Sequence, residues 1–465
     1  MTADEKSRAG KGISPIVVLL GILLLATALT YLADSGSYER EGKLVVPGTY
    51  QTLEKSHSLA QLFDVGGTRQ PDRAQPVSLA GTLLAIPQGL ERMAGLIFMV
   101  LIIGGMFGVM THTGAIDAGL ERLLSGMRGN VYVLVPTLMI VYSAGSTFLG
   151  LASEYLLVIP LMVAMAHRLG LSSLVGLAIV TVAVKAGYLS SVTNPIPLSI
   201  AQPLVGLQVF SGAGFRLLCY LVFLSVGIAF VLLMIRREGH DHALEREFDG
   251  RPLSRRHALT LWVVVLGIAF LVYGANRWHW THHELSAYYV GMSIVIAAVG
   301  RVAASEAAEA FVRGMKKVLM ASMLIGVASA VAVVLEQGQV LDSIVHTLTG
   351  LVGENGAWPA AVGMFGAQLL LDFLIPSTSG QAAISMPIMG PLGQLSGVGP
   401  QTTVLAFLFG NGITNLLTPT SGTLLAYLAT AQVNWVDWAR FVFWLWVAFI
   451  VVAIILLTAA VSIGY

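Results

Sequence analysis

The chain has 465 residues, of which 56% are hydrophobic and only 11% are charged. A soluble domain carries about 25% charged residues, so this composition excludes an ordinary soluble protein and indicates a polytopic membrane protein. The formal net charge of +1 gives no indication of a nucleic-acid partner, and a single cysteine excludes a disulfide framework or a cysteine-based metal site.

The N-terminal part predicts two spans separated by a long loop. The first span covers 15–33 and is too long for the apolar part of a signal peptide, so we expect an uncleaved helix. Residues 34–88 are mixed and charged and predict an external loop. The second span covers 93–110, and the amphipathic stretch 111–130 predicts an interfacial helix.

Two unusual segments come next. The apolar stretches 131–146 and 154–167 are short and flank a polar tip, which predicts a re-entrant helical hairpin, because irregular backbone in a bilayer is tolerated only where it lines a protein cavity. A span at 171–207 is interrupted at 190–195, which predicts a broken helix. A further span is predicted at 216–236.

The arginine-rich stretch 236–257 predicts a cytoplasmic loop by the positive-inside rule. The elements expected after it are spans at 259–274, 288–302 and 318–335, an amphipathic stretch at 337–355, a second hairpin with arms 359–375 and 381–392, a second broken helix with parts 402–415 and 420–431, and a last span at 436–461.

The hairpin and broken helix occur twice. Pro160 and Pro387, Met162 and Met389, Gly170 and Gly397, and Thr193 and Thr420 are each 227 positions apart. Matching Gly/Pro-interrupted apolar segments in two halves are the best sequence pointer to the binding site of a secondary transporter.

The charges predict the orientation of the two copies. With the N-terminus in the cytoplasm and the hairpins not crossing, the chain makes about nine spans and its C-terminus is external. The first copy then starts outside and the second inside, so the repeats are inverted. The charges fit equally well if the first hairpin crosses the membrane twice, so they do not establish that it is re-entrant. We expect four segments. Residues 1–88 form the N-terminal helix and external loop, and residues 237–313 form the cytoplasmic loop and linking scaffold helices. The first repeat is 89–236, with hairpin 131–167 and broken helix 171–207, and the second is 314–465, with hairpin 359–392 and broken helix 402–431.

The tips and breaks carry short hydroxyl and amide side chains, which supply both hydrogen-bond donors and acceptors. Helix N-termini at these places suit a carboxylate, and unwound carbonyls suit a cation. The alternative is that each side chain only caps a helix or packs helices closely. The candidate substrate-binding residues are Ser146, Thr147, Ser153, Glu154, Ser191, Thr193, Asn194, Ser377, Thr378, Ser379, Gln381, Asn411, Thr414, Asn415, Thr418, Thr420 and Ser421.

Three ionisable residues in spans are functional-site hypotheses by default. Glu154 follows Ser153 at the first tip, where it is either a first-turn acid capped by Ser153 or a site for a cation, ammonium group or proton. Asp372 lies at the edge of the second tip, with structural and functional interpretations equally open. Lys185 pairs with one of these acids, binds a substrate carboxylate or stands in for a sodium ion.

Three segments carry a family resemblance. FLIPSTSGQAAISMPIMGPL, FLFGNGITNLLTPTSGTLLAYL and SSVTNPIPLSIAQPLVGLQVFSG resemble the YfcC-like branch of the dicarboxylate anaerobic carrier family, over most of the chain. The resemblance implies inverted repeats, two re-entrant hairpins, a dimeric scaffold, elevator-type movement and substrate bound by the Ser/Thr/Asn clusters. The wider group includes four-carbon dicarboxylate carriers and basic amino-acid exchangers.

We therefore expect an all-α secondary transporter of the bacterial-type inner membrane, with a small carboxylate-bearing metabolite as substrate. A four-carbon dicarboxylate is the leading candidate. A basic amino acid is the second candidate, because the carboxylates of Glu154 and Asp372 would not attract an anionic substrate. The expected coupling ion is a proton or a sodium ion, the latter bound near Asn194 and Asn415. We expect no other cofactor, no resident metal and no catalytic residue. A membrane-embedded enzyme lacks a histidine near the tips in sequence, and closed glycine-rich tips favour a carrier over a channel.

Overall fold

The computed structural model describes residues 15–42, 44–55, 59–64, 73–116, 118–119, 122, 130–238, 254–278, 280–350, 352 and 356–465. The helices are α1 Pro15–Leu32, α2 Leu79–Arg92, α3 Ala94–His112, α4 Val131–Leu149, α5 Ile159–Arg168, α6 Ser173–Ser190, α7 Pro195–Leu204, α8 Ala213–Arg237, α9 Arg255–Trp278, α10 His282–Gly300, α11 Ala304–Gln337, α12 Leu341–Gly350, α13 Ala357–Leu374, α14 Thr378–Leu395, α15 Pro400–Thr414, α16 Gly422–Ala431 and α17 Trp435–Ser462. The strands are β1 Ser35–Ser37, β2 Arg40–Glu41, β3 Leu44–Val45 and β4 Gln51–Leu53, and short 3₁₀ helices cover Leu59–Phe63 and Ser153–Leu157.

The fold is mostly helical, as the composition predicts. Within the described ranges, seven helical stretches are long and apolar enough to cross a membrane, and one of them, Ser173–Leu204, contains both α6 and α7. Helices α9 and α10 are not among the seven, although spans were expected there. The expected number of about nine spans stays a prediction.

The closest helix packing lies away from the breaks, between α3 and α11. A Cβ atom added to Gly108 would meet the carbonyl of Ala310, and one added to Gly314 would meet that of Gly104. Small residues allow such close approach of backbones, and in membranes they replace the hydrophobic driving force that water would supply. Helices α2 and α1 also pack along α11, and α10 packs on α3.

The two copies of the hairpin and broken helix have matching neighbours. Helix α4 packs on α6 as α13 packs on α15, and α8 packs on α6 as α17 packs on α15. The second arm of each hairpin reaches the other half, since α5 contacts α16 and α14 contacts α7. Helices α6 and α15 contact each other, so the two breaks lie on either side of one common centre.

The N-terminal region corrects one expectation. Residues 34–88 are not a single loop, because β1 pairs with β4, β2 pairs with β3, and α2 already begins at Leu79, where Ser78 caps it. The expected boundary between residues 88 and 89 therefore falls inside α2. The short strands pack on α12 and α14, and Arg40 forms an ion pair of 2.6 Å with Asp342 of α12.

Other boundaries also differ from those expected, most of them by a few residues and the start of α11 by 14. The first arm of hairpin 1 runs to Leu149, beyond the expected 146, and α11 begins at Ala304 rather than 318. The amphipathic stretch 337–355 contains α12. Half of the expected interfacial helix 111–130 and most of the cytoplasmic loop 236–257 lie outside the described residues.

Candidate substrate-binding site

The tip of hairpin 1 is formed by a helix end and a short 3₁₀ helix. Helix α4 ends at Gly150, whose φ of 75° lies in the left-handed region that favours glycine. A Cβ atom at Gly150 would also collide with the Asn194 side chain. The second arm starts with the 3₁₀ helix Ser153–Leu157 and continues as α5, so the tip has the irregular backbone that was predicted there.

Hydrogen bonds join this tip to the first break, residues 191–194 between α6 and α7, which we call break 1. The Thr147 hydroxyl accepts from the backbone N–H of Val192 at 3.1 Å, and the Thr193 hydroxyl donates to the carbonyl of Phe148 at 3.1 Å. Ser146 donates to the carbonyl of Val184 at 2.9 Å. Three predicted residues, Ser146, Thr147 and Thr193, are thus brought together.

The second break, residues 415–421 between α15 and α16 and called break 2, is joined to hairpin 2 in the same way. Thr420 donates to the carbonyl of Phe373 at 2.9 Å, which matches the bond from Thr193 to Phe148 in the first copy. Thr414 donates to the carbonyl of Leu369 at 2.8 Å, and the hydroxyls of Thr418 and Thr420 lie 2.7 Å apart. The predicted correspondence between the copies therefore extends to individual hydrogen bonds.

Some predicted site residues act as helix caps, as the alternative interpretation held. Asn194 accepts from Ile196 at the start of α7, Ser421 accepts from Leu424 at the start of α16, and Ser377 accepts from Gly380 at the start of α14. Asn194 and Ser421 are 227 positions apart, so they are matching caps. Capping orients these helix ends toward the centre and uses one acceptor of each side chain.

A buried carboxylate lies at the edge of break 2. Asp372 is fully buried and accepts from the amide of Asn411 at 2.6 Å and from the amide of Asn415 at 2.9 Å. Asn411 also donates to Gln381 at 2.8 Å, and Gln381 donates to Gln368 at 2.7 Å. Because a buried carboxyl group is costly without partners, this chain of amides stabilises the Asp372 side chain in the protein interior.

Tyr188 connects the two halves. Its hydroxyl lies 2.6 Å from that of Thr378 at the tip of hairpin 2 and donates to the Asn411 amide oxygen at 2.5 Å. Tyr188 belongs to α6 in the first copy, whereas Thr378 and Asn411 belong to the second. The tip of hairpin 2 is thus tied to the end of the first broken helix.

Lys185 supplies a positive charge next to this network. Its side chain is 93% buried, and within the described part of the chain no hydrogen bond or ion pair within 4.0 Å involves its ammonium group. The ammonium group and the Asp372 carboxylate attract each other electrostatically. Lys185 and Tyr188 are three residues apart on α6 and therefore share a helix face. An ammonium group has three donors, and here they are available to a ligand.

Glu154 occupies a different place from Asp372. Its carboxylate accepts from the backbone N–H of Ala152 at 2.8 Å, and Tyr427 donates to the carbonyl of Ala152 at 2.6 Å. The expected cap, Ser153, makes no such bond, because the 3₁₀ helix is preceded by Ala152 without a side-chain cap. Glu154 is half-buried.

The remaining candidates are less central. Ser377 and Ser379 are exposed at the tip of hairpin 2, Ser191 donates to the carbonyl of Tyr188 at 2.5 Å, and Ser153 is half-buried. Among the described residues there is no group of three or more His, Cys, Asp or Glu side chains that could hold a metal ion.

Four residues of the site were missed from the sequence: Tyr188, Arg216, Gln368 and Tyr427. Arg216 stands near the start of a span and has the pattern of an interfacial anchor, yet it is fully buried. The others lie inside apolar helices, where a single polar residue carries no periodic signal.

A helical membrane fold with two interrupted segments around a buried polar centre defines a membrane transport protein. The chain belongs to the DcuC family of C4-dicarboxylate anaerobic carriers, whose model matches residues 14–462. The family resemblance expected from the tip and break motifs is confirmed.

The individual relatives and solved structures that resemble the chain share low sequence identity with it. YfcC of Escherichia coli K12, named as a proposed basic amino acid antiporter, is 27% identical over 95% of this chain and 94% of that protein. A protein of Haemophilus influenzae Rd, described as uncharacterized, is 26% identical over 99% of both chains. The YdaH transporter of Alcanivorax borkumensis is 15% identical over 97% of this chain and 99% of its own, with a TM-score of 0.41. The antimetabolite efflux pump MtrF of Neisseria gonorrhoeae is 16% identical over 96% and 95%, with a TM-score of 0.42. These two scores are too low to support further inference.

Proposed function

We propose that the chain is a secondary active transporter of a small carboxylate-bearing metabolite, with a four-carbon dicarboxylate as the leading substrate. The observation that carries this proposal is Lys185, a buried ammonium group with unused donors beside the network of Tyr188, Thr378 and Asn411. A substrate carboxylate would satisfy those donors and would offset the cost of burying the charge. The family name points to the same substrate class.

The proposed mechanism is alternating access of the elevator type. The moving unit consists of the two hairpins and the two broken helices, with the repeats inverted and the hairpins re-entrant. The scaffold consists of the helices around the glycine-lined contact of α3 and α11, which is suited to a rigid body because backbones touch directly. Movement of one unit past the other would carry the centre between α6 and α15 from one side of the membrane to the other.

The chain division, orientation and assembly are part of the proposal. The first repeat, expected at 89–236, is extended at its start to include the whole of α2. The second repeat is 314–465. The N-terminus is cytoplasmic, the C-terminus is external, and the membrane is a bacterial-type inner membrane. The scaffold forms a homodimer, as elevator movement needs a part that stays fixed.

A basic amino-acid exchanger is the second candidate, and Glu154 is the observation that favours it. Its half-buried carboxylate accepts from the N–H of Ala152, whose carbonyl accepts from the Tyr427 hydroxyl, and a carboxylate at this place would attract a guanidinium or ammonium group. The name given to YfcC agrees with this candidate.

Uptake into proteoliposomes separates the two candidates. Labelled succinate and labelled arginine are compared with and without a sodium gradient, in protein whose cooperative thermal unfolding shows that it is folded. Succinate uptake supports the leading proposal, and arginine uptake supports the second. Transport of neither by folded protein contradicts both. Lys316→Met, at an exposed lysine of α11, serves as the control for Lys185→Met, which we expect to abolish carboxylate uptake.

A further inference from the structure

Arg216 holds break 1 from the side of α8. It is fully buried, and its guanidinium donates to the carbonyl of Ser191 at 3.2 Å and to the carbonyl of Val192 at 3.3 Å. Its third nitrogen donates to Gln401 at 3.2 Å and to the Tyr465 hydroxyl at 3.4 Å. All of its partners are thus neutral oxygen atoms.

The charge of Arg216 is compensated by a helix end and not by a carboxylate. In the described ranges no carboxylate lies within 4.0 Å of its guanidinium. Its position at the C-terminal end of α6 provides the compensation, because the free carbonyls there carry the negative end of the helix dipole. A helix C-terminus with unwound carbonyls is also the kind of place where transporters hold a coupling cation.

The backbone that Arg216 binds is strained. Ser191 ends α6 in the left-handed region, with φ of 40°, and a non-glycine residue adopts this conformation only where its surroundings hold it. The Arg216 guanidinium donates a hydrogen bond to the carbonyl of Ser191 itself and so fixes its orientation. Arg216 therefore stabilises the conformation that opens the helix at break 1.

Break 2 is held by neutral groups. The indole N–H of Trp438 donates to the carbonyl of Leu416 at 3.0 Å, and that of Trp435 donates to the carbonyl of Leu417 at 2.8 Å. Among the residues that the structure describes, both breaks thus receive side-chain donors from neighbouring helices, but only break 1 receives a charged donor. The difference indicates a specific requirement for a cation at break 1.

We propose that Arg216 is a tethered cation at break 1 and that break 1 binds no sodium ion. The carbonyls that would coordinate a sodium ion already accept from the guanidinium, and a second positive charge a few ångströms away would be repelled. The Asn194 oxygen, expected near such an ion, accepts the capping N–H of Ile196. This inference rests on the proposed transport site, but its test measures stability and needs no transported solute.

Chemical rescue of Arg216→Ala tests the tethered cation. We expect the variant to lose about 5 °C or more in Tm and to recover at least half of the loss in about 10 mM guanidinium chloride, a concentration far below the denaturing range. Equal potassium chloride should give no recovery. Arg440→Ala, at an exposed arginine of α17, controls for loss of charge and should respond to neither salt. An unchanged Tm, or no specific recovery with guanidinium, would overturn the proposal.

Sodium titration of the wild type gives a second test that does not require a folded Arg216 variant. Because a bound ion stabilises the folded state, a saturable rise in Tm with sodium but not potassium would locate an ion on the protein. The proposal fails if Thr193→Ala at break 1 abolishes this rise while Thr420→Ala at break 2 preserves it. It is supported if no such rise occurs, or if only Thr420→Ala abolishes it.

Discussion

The hydroxyl groups of Tyr188 and Thr378 lie 2.6 Å apart, although the two residues belong to different copies of the repeat. Tyr188 lies two residues before the end of α6, where the first broken helix is interrupted, and Thr378 begins α14 at the tip of hairpin 2. In the proposed transport cycle, this contact would hold the tip of hairpin 2 closed over the central network. Opening of hairpin 2 must break it.

Tyr188→Phe is therefore expected to increase opening of hairpin 2. Loss of one hydrogen bond is worth about 1 kcal/mol, which corresponds to a roughly five-fold larger open population. The measurement is the maleimide labelling rate of a cysteine at Ala382, a fully buried residue in the first turn of α14, in a Cys219→Ser background. Tyr132→Phe, at an exposed tyrosine of α4, is the control. Equal labelling rates for wild type and Tyr188→Phe would show that the contact does not close the tip.

Lys185 and Asp372 are expected to depend on each other for stability. The two groups are more than 4.0 Å apart and form no ion pair, but Lys185→Met leaves the buried Asp372 side chain without that compensating positive charge, so we expect a loss of about 2 kcal/mol. The double variant Lys185→Met with Asp372→Asn removes both charges and should recover most of the lost Tm. Lys316→Met should leave Tm unchanged. Additive losses in the double variant would mean that the two charges are not coupled.

The short polar residues of the tips and breaks are expected to act in transport. Thr193→Ala, Asn194→Ala, Thr378→Ala and Asn415→Ala should each lower uptake several-fold while the protein still inserts and folds. The first three lose one or two hydrogen bonds or a cap, worth roughly 1 kcal/mol each, whereas Asn415→Ala also removes the bonds to Asp372, Asn411 and Ser421 and should cost the most stability. Initial uptake rates in proteoliposomes are the measurement. Thr137→Ala, on the exposed side of α4, is the matched control. Wild-type rates in all four variants would refute the site.

Glu154→Gln distinguishes a capping role from a role in transport. If the carboxylate binds a proton or a cationic part of the substrate, the neutral amide should flatten the pH profile of uptake or change the preference between succinate and arginine. The measurement is uptake of both solutes across pH 5 to 8. Gln can still accept from the N–H of Ala152, so a purely capping Glu154 predicts kinetics identical to wild type at every pH.

The sequence predicted the repeated architecture well because it is encoded locally. The glycine, proline and hydroxyl residues at 145–153, 190–195, 376–380 and 411–421 interrupt apolar runs, and the helix ends fall within a few residues of those expected. The matching bonds of Thr193 and Thr420 follow from the same repeat. The α2 helix was missed because Leu79–Arg92 includes Pro87 and borders a charged segment, which weakens the apolar pattern of a span.

The partners of the site residues could not be predicted, because they come from distant parts of the chain. Arg216 reaches break 1 only because α8 packs on α6, and Tyr188 reaches Thr378 only because α6 meets the second copy. The caps formed by Asn194 and Ser421 are local and could be anticipated, but the unpaired state of Lys185 depends on tertiary packing, like the contacts of Arg216 and Tyr188. None of these contacts leaves a periodic pattern in the sequence.

Counterflow in proteoliposomes tests the proposed transport site most directly. Vesicles are loaded with excess unlabelled succinate, or arginine in a parallel series, and diluted into a trace of the same labelled solute. We predict transient accumulation of label inside vesicles that contain wild-type or Lys316→Met protein, and none with Lys185→Met. Folded wild-type protein that accumulates neither solute, or Lys185→Met that accumulates label as fast as wild type, would contradict transport through the centre at Lys185.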